Sequence, residues 1–204
     1  KLKQYTATQL GVLAAKEAIK DAGINPRAIQ TAYGSRVLGG NTAVEEILAQ
    51  LGIAEIEMTN VENACGSGIT ATNQLWRDIA CGVYDIGIAV GADSMSHSSM
   101  AGKLLAPEGD DLNGLLGISM PSYFAFVARR MMYEYGATPE DLAYPTIKNH
   151  KNGCLNPYAM YKKELSMEEV LASAMISDPI HLLECCPSTD GAAAVILCSE
   201  EIAR

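Results

Sequence analysis

The sequence predicts an α/β fold built on a parallel sheet, and two observations carry this prediction. Amphipathic helical patterns alternate with short apolar runs such as DIGIAVGA at 85–92, which are typical of strands covered on both faces. The run IEMTNVE at 56–62, a helix over 67–81 and that apolar run form a strand–helix–strand unit, whose crossover makes its strands parallel. The 204 residues, 49% of them hydrophobic, suffice for one large or two small domains.

The first two helices have sequence signals at their ends. A helix is predicted over residues 8–22, where apolar residues recur with helical spacing and Gly23 follows as a stop. A second helix is predicted from the segment NTAVEE, in which Thr42 and Glu45 have the spacing of a capping box, to Gly52. These signals place two helices before the predicted strand–helix–strand unit.

The middle of the chain combines a helix with a long irregular segment. Leu75, Trp76 and Ile79 are predicted to recur on one face of the helix over 67–81. Residues 94–120 are rich in Ser, Met and Gly and show no period, so they are predicted to form a long loop. Loops of this length are usually functional or flexible.

The last part of the chain is predicted to contain two long helices and a buried strand. The helices span 121–135 and 139–152, and Pro145 should kink or interrupt the second. Ser166 and Glu169 have the spacing of another capping box. The segment PSTDGAAAVILCSEE is then predicted to form a polar turn, a buried strand and the start of a helix.

Composition excludes several classes of protein. The formal net charge of −9 argues against a nucleic-acid partner, because phosphate backbones require clustered positive charge. No apolar run reaches the roughly 18 residues of a membrane span, so we expect a soluble, cytoplasmic protein without a membrane span. The six cysteines are scattered and form no C-x-x-C pair, which predicts reduced thiols and no metal site.

The stretch VENACGSGITAT at 61–72 holds the main candidate for chemistry. It places Cys65 in the predicted first turn of a helix, where the macrodipole and unpaired N–H groups favour a thiolate and hence a nucleophile. Gly66, Ser67 and Gly68 would let an acyl group approach the backbone, with an N–H group available for an oxyanion. The alternative is that Cys65 is a buried packing residue, as free cysteines often are.

The same residues also fit a dinucleotide-binding fingerprint. The run from Gly66 to Ala71 matches G-x-G-x-x-A, follows a strand, opens a helix and has Asp93 after the next strand. However, that fingerprint needs no thiol before its first glycine and belongs to the first strand–helix turn. Two predicted helices precede the run in this chain.

The segment NVENACGSGITATNQLWRDIACGVYDIGIAVGADSMS at 60–96 resembles the nucleophile segment of the thiolase superfamily. The segments IKNHKNGCLNPYA and SDPIHLLECCPSTDGAAAVILCSE resemble, more narrowly, the thiolases related to sterol carrier protein x and their bacterial and archaeal relatives, which include acetyl-CoA acetyltransferases. The matching segments follow the family's order and extend over nearly the whole chain. Under this resemblance the helix after Cys65 is the nucleophile helix, and the dinucleotide interpretation is dropped.

The resemblance implies the N-terminal half of the thiolase fold, a layered α/β/α arrangement around a mixed, mostly parallel sheet with an inserted loop domain. Residues 1–93 would form the first part of the core, 94–177 the inserted domain, and 178–204 the return to the core. The family's first strand and C-terminal half are not matched. We therefore expect the chain to be part of a longer polypeptide.

The resemblance also assigns site residues. Cys65 would be the acyl-accepting nucleophile, its N–H and loop would contact the oxyanion, and Asn63 and Ser67 would shape the turn with Gly66 and Gly68. The family takes a His, a second Cys and an oxyanion-hole His or Asn from its second half. None of the motifs that carry them, such as Gly-His-Pro, occurs in this sequence, so residues 1–204 alone are expected not to turn over.

Binding residues are predicted in the segment that resembles the coenzyme A-contacting loop domain: Lys148, His150, Lys151, Lys162 and Lys163. A solvated surface explains these lysines equally well. His97, His150 and His181 are alternative bases, although loop or capping roles are expected for them.

The function implied is thiolysis of a 3-oxoacyl-CoA, or the reverse Claisen condensation, in lipid metabolism. Coenzyme A would be a substrate, and no cofactor would be bound permanently. The family implies a homodimer and, in this subgroup, a possible small partner subunit of zinc-ribbon and OB-fold type. Two alternatives stay open: a thiolase-fold retro-aldolase, and a non-catalytic subunit that binds acyl-CoA or lipid.

Overall fold

The computed structural model describes residue 2 and residues 4–38, 41–97 and 112–204. The chain forms two compact units. The first unit combines Lys1–Ser98 with Thr189–Arg204, and the second is Ser99–Ser188. Among the described residues, no helix is long and apolar enough to cross a membrane.

A four-stranded sheet forms the centre of the first unit. Its strands are β1 (Thr31–Ser35), β2 (Glu57–Val61), β3 (Ile86–Ser94) and β6 (Asp190–Cys198), in the order β2-β1-β3-β6. Strand β1 pairs in parallel with both β2 and β3, whereas β6 pairs antiparallel with β3. The sheet is therefore mixed and mostly parallel, as predicted, with the predicted strand–helix–strand unit joining two of its parallel strands.

Helices cover both faces of this sheet. Helices α1 (Ala7–Ala22) and α2 (Ala43–Ala49) pack on one face, and α3 (Ser67–Ala80) packs on the other. Strand β3 serves both layers, because Ile88 and Val90 belong to the core beneath α1 and α2, and Ala89 packs under α3. This is the layered α/β/α arrangement that the resemblance to the thiolases implies. A short helix, α8 (Glu200–Ala203), follows β6.

The predicted capping box at the start of α2 is wrong. Thr42 occupies the N-cap, but its hydroxyl lies against Glu46 rather than the backbone, and Glu45 accepts a hydrogen bond from Asn60 Nδ2 at 2.6 Å. Asn60, on β2, caps the helix instead, because its Oδ1 accepts the Val44 N–H at 3.0 Å. A side chain from a neighbouring strand thus replaces the local cap, and local spacing cannot predict such a contact.

The prediction that Trp76 shares the buried face of α3 is also wrong. Leu75 is fully buried and Ile79 packs near it, but Trp76 is 58% exposed. Consecutive helical residues point about 100° apart, so a narrow buried stripe that contains Leu75 excludes its neighbour.

The second unit is mainly helical. It contains α4 (Leu112–Leu115), α5 (Met120–Tyr135), α6 (Pro139–Gly153) and α7 (Met167–Leu171), followed by a two-stranded antiparallel sheet of β4 (Met175–Ser177) and β5 (Ile180–His181).

The predicted loop over 94–120 differs from the structure at both ends. Strand β3 runs to Ser94, a 3-10 turn spans Met95–His97, and α4 lies within the predicted loop; residues 98–111 lie outside the described part of the chain.

Helix α6 continues through Pro145, which the sequence predicts to kink or interrupt it. Proline removes one donor from the helix, the N–H that would bond to the Asp141 carbonyl. Both residues are exposed, so water can satisfy that carbonyl. The capping box of Thr138 with Asp141 holds the start of the helix, and the predicted box of Ser166 with Glu169 is confirmed at the start of α7.

Candidate functional site

Cys65 lies in the turn between strand β2 and helix α3. The turn follows the carboxyl end of a strand that is parallel to its neighbour, which is where ligands bind in open α/β sheets. The helix begins at Ser67 with Gly66 as its N-cap, so Cys65 precedes the cap and does not lie in the first turn as predicted. Its side chain is exposed, which excludes, for this chain, a buried packing role.

Hydrogen bonds fix the backbone on both sides of Cys65. The Gly66 N–H donates to the Asn63 carbonyl at 2.9 Å, and the Ser67 N–H donates to the Ala64 carbonyl at 3.1 Å. Ser67 is 97% buried; its hydroxyl donates to the same Ala64 carbonyl at 2.7 Å and accepts the Asn63 N–H at 2.8 Å. Asn63 and Ser67 therefore meet in one network around the turn.

Gly66 and Gly68 differ in whether the surrounding chain requires glycine at their positions. A Cβ on Gly66 would lie 3.2 Å from the Asn63 carbonyl oxygen, so the turn itself favours glycine there. A Cβ on Gly68 would meet nothing closer than the Ser35 hydroxyl oxygen, at 3.8 Å. Packing within the described chain thus does not require glycine at position 68, and its outer surface stays open.

The start of α3 packs tightly on the sheet beneath it. A Cβ on Gly91 of β3 would lie 2.7 Å from the Ser35 hydroxyl oxygen and 3.8 Å from the Gly68 Cα. Ser35 is itself buried at the end of β1. The small residues at these positions let the helix terminus approach the sheet closely, which sets the height of the Cys65 turn above the strands.

Two other groups of this turn were not singled out from the sequence. The Glu62 carboxylate accepts the Ala64 N–H at 2.6 Å, and the Thr70 hydroxyl accepts a hydrogen bond from Asn63 Nδ2 at 3.1 Å. Thr70 lies one helical turn after Gly66, whose carbonyl it also contacts. The periodicity of the sequence distinguishes neither Glu62 nor Thr70.

The remaining thiols have surroundings unlike those of Cys65. Cys81 is also exposed, but it caps the opposite end of α3. Burial raises the pKa of the Cys185 thiol, and the neighbouring Cys186 and Glu184 add to the shift. Cys154 and Cys198 are partly buried. Cys65 is thus distinguished among the cysteines by lying exposed at a helix N terminus.

Asp93 has a structural role, which removes the remaining support for a dinucleotide site. Its two carboxylate oxygens accept the N–H groups of Val37 and Leu38 at 3.0 and 2.9 Å. The carboxylate is therefore engaged in holding the loop after β1. A ribose-binding role would require it to point to a ligand.

The basic residues predicted to bind coenzyme A lie in the second unit, around the end of α6. His150 Nδ1 lies 3.0 Å from the Lys163 carbonyl oxygen, and its ring stacks on Tyr161 at 5.9 Å between centroids. Lys162 donates to the Pro157 carbonyl and Lys163 pairs with Glu169, so both ammonium groups have partners within the chain. Lys148 and Lys151 are exposed on α6, and the described residues offer their side chains no hydrogen bond or ion pair.

The other two histidines, His97 and His181, form no general-base site within the described part of the chain. His97 ends the 3-10 turn after β3, but its side chain lies outside the described part of the chain. His181 lies in the second unit and contacts Glu184, its Nδ1 being 3.3 Å from Oε2. Among the described residues, no group of three or more His, Cys, Asp or Glu side chains could hold a metal ion.

Comparison with known proteins agrees with the fold. Residues 1–201 match the family described as thiolase, N-terminal domain. The benzoylsuccinyl-CoA thiolase subunit BbsB of Thauera aromatica is 38% identical over 197 residues, which cover 96% of this chain and 51% of that protein. An acetyl-CoA acetyltransferase of Methanothermobacter thermautotrophicus is 37% identical over 193 residues, 92% of this chain and 50% of that protein.

A solved structure described as the Ltp2-ChsH2(DUF35) aldolase superposes with a TM-score of 0.82 at 25% identity, covering 98% of this chain and 52% of that one. The chain spans about half the length of the curated relatives it matches. The resemblance inferred from the sequence is thus confirmed at the level of the family and its fold. The chain belongs to the thiolase family and corresponds to its N-terminal domain.

Proposed function

We propose that this chain is the nucleophile-bearing half of a thiolase-type acyl-CoA acyltransferase. One observation carries the proposal: an exposed cysteine, Cys65, immediately before the N terminus of α3 in a chain of the thiolase family. A helix N terminus favours the thiolate form of a nearby cysteine and supplies N–H groups to a developing oxyanion. The names of two relatives, a thiolase subunit and an acetyltransferase, support the same chemistry.

In the proposed reaction the Cys65 thiolate attacks the 3-oxo carbonyl carbon of a 3-oxoacyl-CoA, and an Sγ–C bond forms. The Cα–Cβ bond then breaks, the acyl group stays on Cys65, and the departing carbanion of acetyl-CoA takes up a proton. The thiolate of a free coenzyme A next attacks the acyl carbon and releases the Cys65 thiolate. The groups that move these protons are proposed to lie in the family's second half, because the sequence contains none of their motifs.

The turn around Cys65 suits an acyl group. Gly68 carries no side chain although the chain's own packing does not require this, and we propose that the substrate uses the room that this leaves. Asn63 and Ser67 hold the turn, and Gly66 fits against Asn63. We assign them to shaping the site rather than to proton transfer.

Coenzyme A is proposed to contact the second unit, which we assign to the inserted loop domain. Lys148 and Lys151 are the stronger candidates for phosphate contacts, since Lys162 and Lys163 are engaged within the chain. The stacked pair of His150 and Tyr161 supplies an aromatic surface nearby. No permanently bound cofactor is proposed.

The assembly is proposed to be a homodimer formed through the sheet of the first unit, where β2 is an edge strand. A small partner subunit of zinc-ribbon and OB-fold type is also proposed. The names of a relative and a structural neighbour, a thiolase subunit and an Ltp2-ChsH2(DUF35) aldolase, support an assembly of several chains.

The aldolase neighbour makes thiolase-fold retro-aldol cleavage the second candidate. Retro-aldol cleavage needs no cysteine nucleophile, so Cys65 favours thiolysis. The test is coenzyme A-dependent cleavage of a panel of 3-oxoacyl-CoAs by the full-length gene product, beside its Cys65→Ala variant. Thiolysis that Cys65→Ala abolishes supports the proposal. Cleavage of 3-hydroxyacyl-CoAs that Cys65→Ala leaves unchanged supports the aldolase, and absence of both with coenzyme A still bound supports a non-catalytic subunit.

A further inference from the structure

Ala64, the residue before Cys65, has a left-handed backbone with φ +45°. A residue with a Cβ rarely adopts this conformation, and it persists only where the surroundings hold it. Glu55 is the other non-glycine residue with positive φ among the described residues, and it lies in the loop before β2. The strained position is therefore directly next to the proposed nucleophile.

Side chains hold both polar groups of the Ala64 backbone. The Glu62 carboxylate accepts its N–H, and the Ser67 hydroxyl donates to its carbonyl. Glu62 is exposed, so water can replace its carboxylate, whereas Ser67 is 97% buried and its hydroxyl also accepts the Asn63 N–H. Ser67 thus bonds to the chain on either side of the Ala64 N–Cα bond, about which φ is measured.

We infer that Ser67 is a positioning residue, whose hydroxyl holds Ala64 in the left-handed conformation and so fixes the place of the Cys65 thiol beside the N terminus of α3. This inference rests on the proposed role of Cys65 as the nucleophile. Without the hydroxyl, only the Ser67 N–H and the exposed Glu62 carboxylate hold Ala64, and its backbone relaxes towards an ordinary conformation. The thiol then moves away from the helix terminus that activates it.

The test measures alkylation of Cys65 by iodoacetamide, with Cys81 as an internal reference. Both thiols are exposed and they lie at opposite ends of α3, so peptide mass spectrometry reports two rate constants from one sample. Ser67→Ala should lower the Cys65 rate constant roughly 5- to 30-fold, the population ratio that corresponds to the strain of one left-handed residue. The rate constant of Cys81 should stay unchanged.

A second substitution separates positioning from general stabilisation. Glycine adopts positive φ without the cost that a Cβ imposes, so Ala64→Gly added to Ser67→Ala should return the Cys65 rate constant to within about threefold of the wild type. A hydroxyl that merely supports the fold would give no such rescue. If Ser67→Ala alone does not fold, the double variant carries the same test.

Ser173→Ala is the matched control. The Ser173 hydroxyl also donates to a carbonyl three residues earlier, that of Val170 at 2.7 Å, and accepts a backbone N–H, that of Leu183. This control should leave the Cys65 rate constant unchanged. A Ser67→Ala rate constant within twofold of the wild type, or a double variant with slow Cys65, overturns the inference. Alkylation requires no acyl-CoA, so a failure of the proposed acyl transfer would be seen separately.

Discussion

Tyr33 on strand β1 donates a hydrogen bond of 2.5 Å from its phenolic oxygen to Asp78 Oδ2 on helix α3. This bond ties the sheet to the helix whose N terminus carries the Cys65 turn. Burial and the Asp78 carboxylate, with smaller effects from Glu57 and Tyr84, raise the pKa of Tyr33 to about 12. The folded chain therefore favours the protonated tyrosine.

We predict that Tyr33→Phe lowers the free energy of unfolding by about 1.5–3 kcal/mol at pH 8, because a hydrogen bond to a charged group is lost. The pKa of Tyr33 in the folded chain lies above the ordinary tyrosine value. The stabilisation by its hydrogen bond is therefore fully present below a pH of about 10 and is lost as the pH rises towards about 12. Urea unfolding of wild type and variant across this range should show the two stabilities converging. A difference that stays constant up to pH of about 12 would contradict the assignment.

Cys65 should be the fastest-reacting thiol of the chain. Cys81 is its matched reference, because both are exposed and the dipole of α3 acts on them with opposite sign. Substoichiometric iodoacetamide should therefore label Cys65 first, and Cys65→Ala should leave the labelling of Cys81 unchanged. Preferential labelling of Cys185 or Cys154 with activity intact would remove the nucleophile assignment.

The structure divides the lysine cluster, and the division is testable. Replacing Lys148 and Lys151 together by Glu should raise the KM for coenzyme A substrates roughly tenfold in the full-length protein, the loss expected for a charge-assisted hydrogen bond. The kcat should hardly change, since phosphate contacts hold ground state and transition state alike. Lys163→Gln breaks an ion pair with Glu169 inside the chain and should leave KM unchanged. An unchanged KM in the Lys148 and Lys151 variant would mean that the exposed lysines are merely solvated.

Gly68 offers a test of the space beside the thiol. Gly68→Ala should stabilise the fold by roughly 0.5–1 kcal/mol, since alanine is the better helix former and its Cβ makes only an ordinary contact, 3.8 Å from the Ser35 hydroxyl oxygen. It should still slow acylation about tenfold or more, because the methyl group misplaces the acyl carbon. The control Gly34→Ala puts a Cβ 2.4 Å from the Val44 Cβ and should instead destabilise the fold by roughly 1–3 kcal/mol. Unchanged acylation in Gly68→Ala would show that the substrate does not pass there.

The features that the sequence predicted well are those that local chemistry determines. Gly23 ends a helix in a left-handed conformation, and Ser166 with Glu169 forms its capping box, because each depends on residues a few positions apart. The apolar run of β3 likewise marks a strand that is covered on both faces.

The features that it missed depend on residues that meet only in the fold. Asn60 replaces Thr42 as the cap of α2, and Asp93 turns to the loop after β1, both through contacts between different elements. The motif around Cys65 located the turn, but the left-handed backbone of Ala64 carries no signal in the sequence. Ser67 could be singled out from its position in the motif. Its role in the turn could be recognised only from the structure.

The central claim is that Cys65 carries the acyl group during catalysis. The most direct measurement is to quench the full-length protein with acid while it cleaves acetoacetyl-CoA, digest it, and locate the acyl thioester by mass spectrometry. The account predicts one acetyl group per chain, on the peptide that contains Cys65, and neither adduct nor turnover in Cys65→Ala. Continued cleavage by Cys65→Ala, or an acyl group on another residue while the Cys65 thiol stays free, would contradict it.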